Sequence, residues 1–424
     1  MASSFYHLLF IFTLLISTTF AATTTRPKAL FFTVSKDSST LQYVVPITQR
    51  TPPKPVPTTL HLGGPFVWVD CDRAYVSSTY RPAQCNSASC TLANSISCGT
   101  CNAPPGPGCN NNTCGLSPEN PITNTATIGE LASDLVRVNS TNGSNPGPII
   151  KVPNFLFSCG PTFLLKCLAK GVQGVIGLGR TKISPVSQFS STFSFPKRFA
   201  ICLASFTSDN GVIFFGDAPF QFYPPTDLNS LKYTPLITNP TAPTEYFVGV
   251  TAIKIDNITV PINKSLLSIN KKGNGGTKLS TVNPYTLMET SIYKAVTTSF
   301  DSRLKQRFPQ AKRVKAAAPF EVCYDSNTLT YTRVGVVVPD IQLVLQNDNV
   351  VWTMYSSNSM VTVDNARCLA LVDGGKNPKT SIVMGGYQLE DNFMQFDLPK
   401  SRLGFRYLVY DMTRCSNFNF TSVA

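Results

Sequence analysis

The chain has 424 residues, 42% of them hydrophobic and 14% charged, which is enough apolar material for two domains of roughly 200 residues each and excludes a disordered chain. Lys and Arg exceed Asp and Glu by 36 − 23 = 13, a balance that favours acidic partners such as a pectin-like cell-wall polysaccharide or an acidic protein, or that merely keeps the chain in solution. Nucleic acid fits poorly, because the N-terminal residues mark the chain for export.

Met1 to Ala22 carry no charged residue, and the apolar run Leu8 to Ile16 is too short for a span of ~20 residues. Small residues follow, so positions 1–21 read as a secretory signal peptide cut after Ala21. No later stretch reaches spanning length, so no membrane association is expected after cleavage. Short β-branched runs bounded by Gly, Pro and Asn then recur: Ala29–Val34, Leu41–Ile47, Val67–Val69, Val212–Phe215, Phe247–Ile255, Val334–Val338, Ile341–Leu345 and Arg402–Tyr407. They predict an all-β architecture with a few short helices. The clearest helix is predicted over Pro284 to Arg307, where Leu287, Ile292, Val296 and Phe300 approximate one apolar face. Ser97 to Pro121 and Asn139 to Pro148 read as loops.

Seven of the thirteen cysteines crowd between Cys71 and Cys114. In an exported chain they argue for disulfides. The rival reading is a metal pair at Cys98-Gly-Thr-Cys101, but His61 is the only histidine beyond the signal and the spacing is irregular. No metal or cofactor is therefore expected. An odd count leaves one thiol unpaired in a monomer, the expected state. Six Asn-x-Ser/Thr sequons, at Asn111, Asn139, Asn142, Asn257, Asn263 and Asn419, suit a glycosylated secreted protein, although Asn139 and Asn142 are too close for both to be used reliably.

A weak echo divides the chain. Pro57 to Val69 enters a glycine-marked turn, and Gly275 to Val282 does so again; Gly174-Val-Ile-Gly-Leu-Gly179 has a counterpart in Ile382-Val-Met-Gly-Gly386. These places, together with Phe214-Phe-Gly-Asp217, Phe396-Asp-Leu398 and Arg402-Leu-Gly-Phe405, resemble the plant branch of the pepsin-like aspartic proteases. The resemblance implies a bilobal fold, an N-terminal β lobe over 22–225 and a C-terminal β lobe over 226–424, facing a cleft.

Catalysis in that family needs one aspartate from an Asp-Thr/Ser-Gly turn in each lobe, because two close carboxylates share a proton and divide the acid and base roles. No such tripeptide occurs here. His61-Leu-Gly-Gly64 stands at the first position and Ser280-Thr-Val282 at the second. The stretch matched to the substrate-covering flap, Thr125 to Ala132, has no tyrosine. A catalytically inactive homologue is expected, with residual peptidase activity as the minor alternative.

Within the superfamily, His61-Leu-Gly-Gly64, Trp68-Val-Asp-Cys71, Gly108-Cys-Asn-Asn-Asn-Thr-Cys114, Phe157-Ser-Cys-Gly160, Lys278-Leu-Ser-Thr281 and Cys415-Ser-Asn-Phe-Asn-Phe420 are similar to the plant extracellular dermal glycoprotein and endoglucanase-inhibitor group, which is related to cereal xylanase inhibitors and basic seed globulins. That resemblance implies the pairs Cys71–Cys159, Cys202–Cys415 and Cys323–Cys368, with Cys85, Cys90, Cys98, Cys101, Cys109 and Cys114 closing the loop region and Cys167 free. It also implies a secreted inhibitor of a microbial endoglucanase or xylanase, xyloglucan-directed, acting in plant defence at the cell wall. A guanidinium on a C-lobe loop would meet the carboxylate pair of the hydrolase. Arg333 is the first candidate and Arg414 the second, on a 406–414 loop that departs from the group pattern and carries Asp411. The other reading is a non-inhibitory binding or storage globulin that recognises a peptide or polysaccharide.

Overall fold

The computed structural model describes residues 26–95, 97–226, 228–332, 335–346 and 349–421. Positions 1–21, read above as a signal peptide, and Arg333 lie outside the described residues. Strands dominate the described residues.

One antiparallel sheet runs through both halves. Its strands lie in the order Ala29–Lys36, Asn210–Gly216, Arg198–Cys202, Asn392–Asp397, Arg402–Tyr407 and Lys232–Asn239. Three come from each half, and the seam falls between Arg198–Cys202 and Asn392–Asp397. Both seam strands are buried almost end to end, as strands covered on both faces must be. Phe199 stacks on Phe396 across the seam at 4.6 Å between ring centroids. Cys202 also bonds Cys415, so the C-terminal segment is tied to an N-half strand. A second tie joins Lys36 Nζ to the buried Glu390 at 2.6 Å, with the Tyr43 hydroxyl donating to the same oxygen at 2.7 Å.

Each half repeats one unit. Lys54–His61 runs parallel to Gly174–Gly177, which is antiparallel to Val67–Asp70; that strand runs parallel to the end of Pro146–Gly160. In the second half Thr277–Leu279 runs parallel to Ile382–Met384, which is antiparallel to Thr286–Met288, itself parallel to Leu371–Asp373. The echo in the sequence is thus a duplicated strand topology.

Four expectations need correction. The helix is Thr290–Arg307, because the Glu289 carboxylate accepts from the amides of Ser291 and Ile292 and caps it there, leaving Leu287 in a strand. Its buried face is Ile292, Val296, Phe300 and Leu304, four residues apart each time. Phe247–Ile255 is interrupted at Gly249 and feeds two different sheets. Asn139–Pro148 is mostly strand: Gly129–Thr141 and Pro146–Gly160 form a long hairpin, closed by the Asn142 side chain accepting from the amides of Ser144 and Asn145. Ser97–Pro121 holds the strands Ser97–Gly99 and Thr113–Leu116.

Disulfides join Cys71–Cys159, Cys85–Cys98, Cys90–Cys114, Cys101–Cys109 and Cys323–Cys368 besides the seam bond, while Cys167 is exposed and free. Cys98 and Cys101 therefore belong to different disulfides, which removes the metal-pair reading. Asn111, Asn142, Asn257 and Asn263 are exposed, whereas Asn139 and Asn419 are half-buried.

Removing the stacked ring at the seam with Phe199→Ala is expected to cost about 3–5 kcal/mol of unfolding free energy, the usual range for a buried phenylalanine, measurable by denaturant titration.

Candidate functional site

The duplicated units bring two turns together at the middle of the molecule. His61 ends the strand Lys54–His61, and its carbonyl accepts from the amides of Gly64 and Leu178, both at 3.1 Å. Ser280 follows Thr277–Leu279 directly, its amide bonded to the Met384 carbonyl. The turns need a close backbone approach: a Cβ on Gly64 would lie 2.9 Å from Gly177 Cα.

A single hydroxyl joins the turns. Thr281 Oγ1 donates to the Leu60 carbonyl at 2.8 Å and accepts from the Leu62 amide at 3.0 Å, all in buried surroundings. The matching position in the first turn is Leu62, whose side chain has nothing to give in return. The link therefore runs one way.

At the head of the second turn, Ser280 Oγ donates to Asn283 Oδ1 at 2.9 Å and accepts from the amides of Val282 and Asn283. The hydroxyl is spent within its own turn. At the head of the first turn, burial and then the nearby Lys278 ammonium push the His61 imidazole down to about 4, so it is neutral over the working range of most proteins.

These residues floor a cleft of about 550 Å³. Its carboxylates come from elsewhere. Glu245 is held by Lys278 Nζ through both oxygens, at 2.9 and 3.0 Å; Glu289 caps the helix; and burial, then the charge of Glu245, pushes the Glu119 carboxyl up from its ordinary value.

The hairpin that edges the cleft lies earlier than expected. Glu119–Asn120 pairs with Thr125–Ala126, and the turn between them contributes Pro121, Ile122 and Asn124 to the cleft wall, again without a tyrosine. Residues from Gly129 onward already belong to the long hairpin. Asn120 fixes the cleft hairpin, donating to the carbonyls of Leu164 and Lys166 and accepting from the amides of Ile122 and Thr123. The Trp68 indole donates to the Glu119 carbonyl at 2.8 Å.

Outside the cleft lining, Arg414 Nη1 donates to Asp391 Oδ2 at 2.8 Å and to Ser205 Oγ at 3.2 Å, with its guanidinium over the Phe206 ring. Asp391 is 3% exposed, so pulling Arg414 away would strand a buried charge. Asp411, the unexpected acid, is gripped by Arg406 at 2.7 and 2.9 Å. The 406–414 loop thus neutralises much of its charge internally and leaves Tyr410 and Met412 as its exposed large side chains, 61% and 83% exposed. On either side of Arg333, Tyr331–Thr332 pairs with Gly335–Val336.

Two family models match the chain: xylanase inhibitor N-terminal over residues 43–217 and xylanase inhibitor C-terminal over 245–407. The chain belongs to the xylanase-inhibitor family. It is 56% identical over 417 residues to a Nicotiana benthamiana protein named probable aspartic proteinase GIP2, covering 95% of this chain and 94% of that one. The crystal structure of EDGP matches with a TM-score of 0.91 at 54% identity, covering 94% and 99% of the two chains. Basic 7S globulin from soybean matches with a TM-score of 0.83 at 34% identity, covering 93% and 99%.

In this xylanase-inhibitor family member the groups around the two turns were not legible in the sequence. Thr281 sits inside Lys278-Leu-Ser-Thr281, and its cross-turn bond becomes visible only when the halves meet. The Lys278–Glu245 pair joins two strands in register, Phe247 opposite Lys278.

Because the folded pKa of His61 lies below its unfolded value near 6.5, its contribution to stability is complete above that value and lost as pH falls through about 4. His61→Asn is therefore expected to lose about 1–3 kcal/mol less than the parent chain between neutral and pH 4, as read from unfolding free energies at each pH. Identical pH slopes would contradict the assignment.

Proposed function

We propose that this chain is a secreted, non-catalytic member of its family that binds and inhibits a microbial glycoside hydrolase, a xyloglucan-directed endo-β-1,4-glucanase, at the plant cell wall. The observation that carries the reading is the chemistry at the heads of the two central turns: a neutral imidazole on one and a self-bonded serine hydroxyl on the other, with no carboxylate on either. Such a pair cannot hold one proton between two equal acids, which is what peptide hydrolysis by this architecture requires. The name aspartic proteinase belongs to a relative and does not carry over against those residues.

Inhibition would proceed by insertion of a C-half loop into the hydrolase cleft, where two carboxylates flank the scissile bond. Arg333 is the proposed plug, because a guanidinium pairs bidentately with a carboxylate. Arg414 is assigned a holding role instead, since its charge is already spent on buried Asp391. The second reading, a binding or storage globulin that inhibits nothing, draws its support from that anchored arginine and from the structural likeness to basic 7S globulin.

Inhibition assays of the purified protein against a panel of secreted endoglucanases and xylanases separate the two readings. The parent chain is expected to inhibit at least one glucanase, Arg333→Ala to weaken it by about 30-fold or more, as loss of an interface hot spot does, and Arg414→Ala to lower unfolding stability while the folded fraction keeps its potency. A parent chain that binds but inhibits nothing in the panel would favour the globulin reading.

A further inference from the structure

Two lysine-bearing turns meet beside the central cleft, and none of the preceding roles uses them. The first, residues 270–273, carries Lys271 and Lys272 at its tip. Its Gly273 amide donates to the Asn270 carbonyl at 2.9 Å, and Asn270 Oδ1 accepts from the amides of Lys272 and Asn274 at 2.9 and 3.1 Å. Buried Asn239 holds this turn from behind, donating to the Gly273 carbonyl at 2.8 Å. The second turn, residues 374–380, carries Lys376 and Lys379. Its Gly374 amide donates to the Met288 carbonyl at 2.7 Å, and its Lys379 carbonyl accepts from the Gly275 amide at 2.8 Å, which sets the two turns side by side. Both backbones are thus fixed, while all four lysines are exposed and Lys379 also lines the cleft.

None of the four ammonium groups is in an ion pair among the described residues. The carboxylates on the adjoining elements serve other groups. Asp373 Oδ1 accepts from Thr290 Oγ1 at 2.7 Å and from the Gly375 amide at 2.9 Å, and Glu289 caps the helix. The other dense basic run, residues 303–315, is different, because Asp256 takes Arg303 and Arg307 while Asp301 takes Lys305 and Arg313. Like charges gathered on rigid turns repel one another, a cost that an anionic partner removes.

Charge alone admits an acidic protein or an acidic polysaccharide. Protein interfaces, however, place aromatic and apolar anchors at their centre and are depleted in lysine. Neither turn exposes a large hydrophobic side chain, and every cation on them is a lysine. An ammonium is a hydrated point charge on a flexible stem, able to follow carboxylates that repeat along a chain without the fixed geometry an arginine demands. The surface therefore fits a polyanionic sugar chain better than a folded acidic partner.

We propose that the Lys271–Lys272 and Lys376–Lys379 turns form a docking surface for a linear polyuronide, a polysaccharide with a carboxylate on each ring. The surface needs no hydrolase, so it stands apart from the inhibitory reading.

Binding of the mature protein to an oligogalacturonate is measured by calorimetry at low and at raised sodium chloride. The parent chain is expected to bind at low salt and to weaken as salt shortens the reach of its charges to ~10 Å or less. Lys271→Gln with Lys272→Gln, and Lys376→Gln with Lys379→Gln, are each expected to weaken binding about tenfold, corresponding to ~1.4 kcal/mol. Lys54→Gln with Lys151→Gln removes the same charge from exposed positions of the N-terminal half and is expected to bind as the parent does. The proposal is overturned if the parent does not bind, if both turn variants bind as the parent does, or if the N-terminal pair loses as much as they do, because net charge would then be acting. Equal affinity for a neutral cello-oligosaccharide would overturn the role of charge, and tighter binding of polyglutamate than of the oligogalacturonate would overturn the polysaccharide assignment in favour of an acidic protein.

Discussion

The architecture depends on one hydroxyl that spans the two halves at the point where their central turns meet. Thr281 Oγ1 satisfies the Leu60 carbonyl and the Leu62 amide together, and neither backbone group has access to water. Leaving such groups unpaired would cost about 1–3 kcal/mol each, so this contact fixes the distance and angle between the turns. The seam sheet, with Phe199 on Phe396 and Cys202 bonded to Cys415, then holds the rest of each half in step. At the heads of the turns it joins stand an imidazole and a serine hydroxyl.

Around those turns, polar side chains are consumed in holding structure. Ser280 closes its own turn, Glu245 is neutralised by Lys278, Glu289 caps a helix and Asn120 fastens the hairpin over the cleft. The same pattern recurs on the 406–414 loop, where Arg414 serves Asp391 and Arg406 serves Asp411. What the loop presents outward is aromatic and apolar, so its contribution to a partner contact would rest on Tyr410 and Met412 more than on charge.

Much of the fold was legible in the sequence because local signals and the chain-long order of glycine-rich motifs agreed. Arg402–Tyr407 and Ile341–Leu345 have the bounds at which the sequence places those short runs. Boundaries failed where a partner distant in sequence decides. Leu287 continues the apolar spacing of the helix, yet it is drawn into a sheet by Val383 and Val372. Gly249 sits inside a β-branched run, but the strands on either side answer to different sheets. The candidate site was half legible. His61 and Ser280 stand at the heads of glycine-marked turns that the sequence pattern picks out, whereas the role of Arg414 depends on Asp391, a neighbour 23 residues away whose burial no local pattern records.

The claim that this centre cannot share a proton is tested most directly by incubating the purified mature protein with denatured haemoglobin at acid pH, with and without pepstatin. The account predicts no cleavage in either condition. Cleavage abolished by pepstatin would show two carboxylates at work across the cleft and would contradict it.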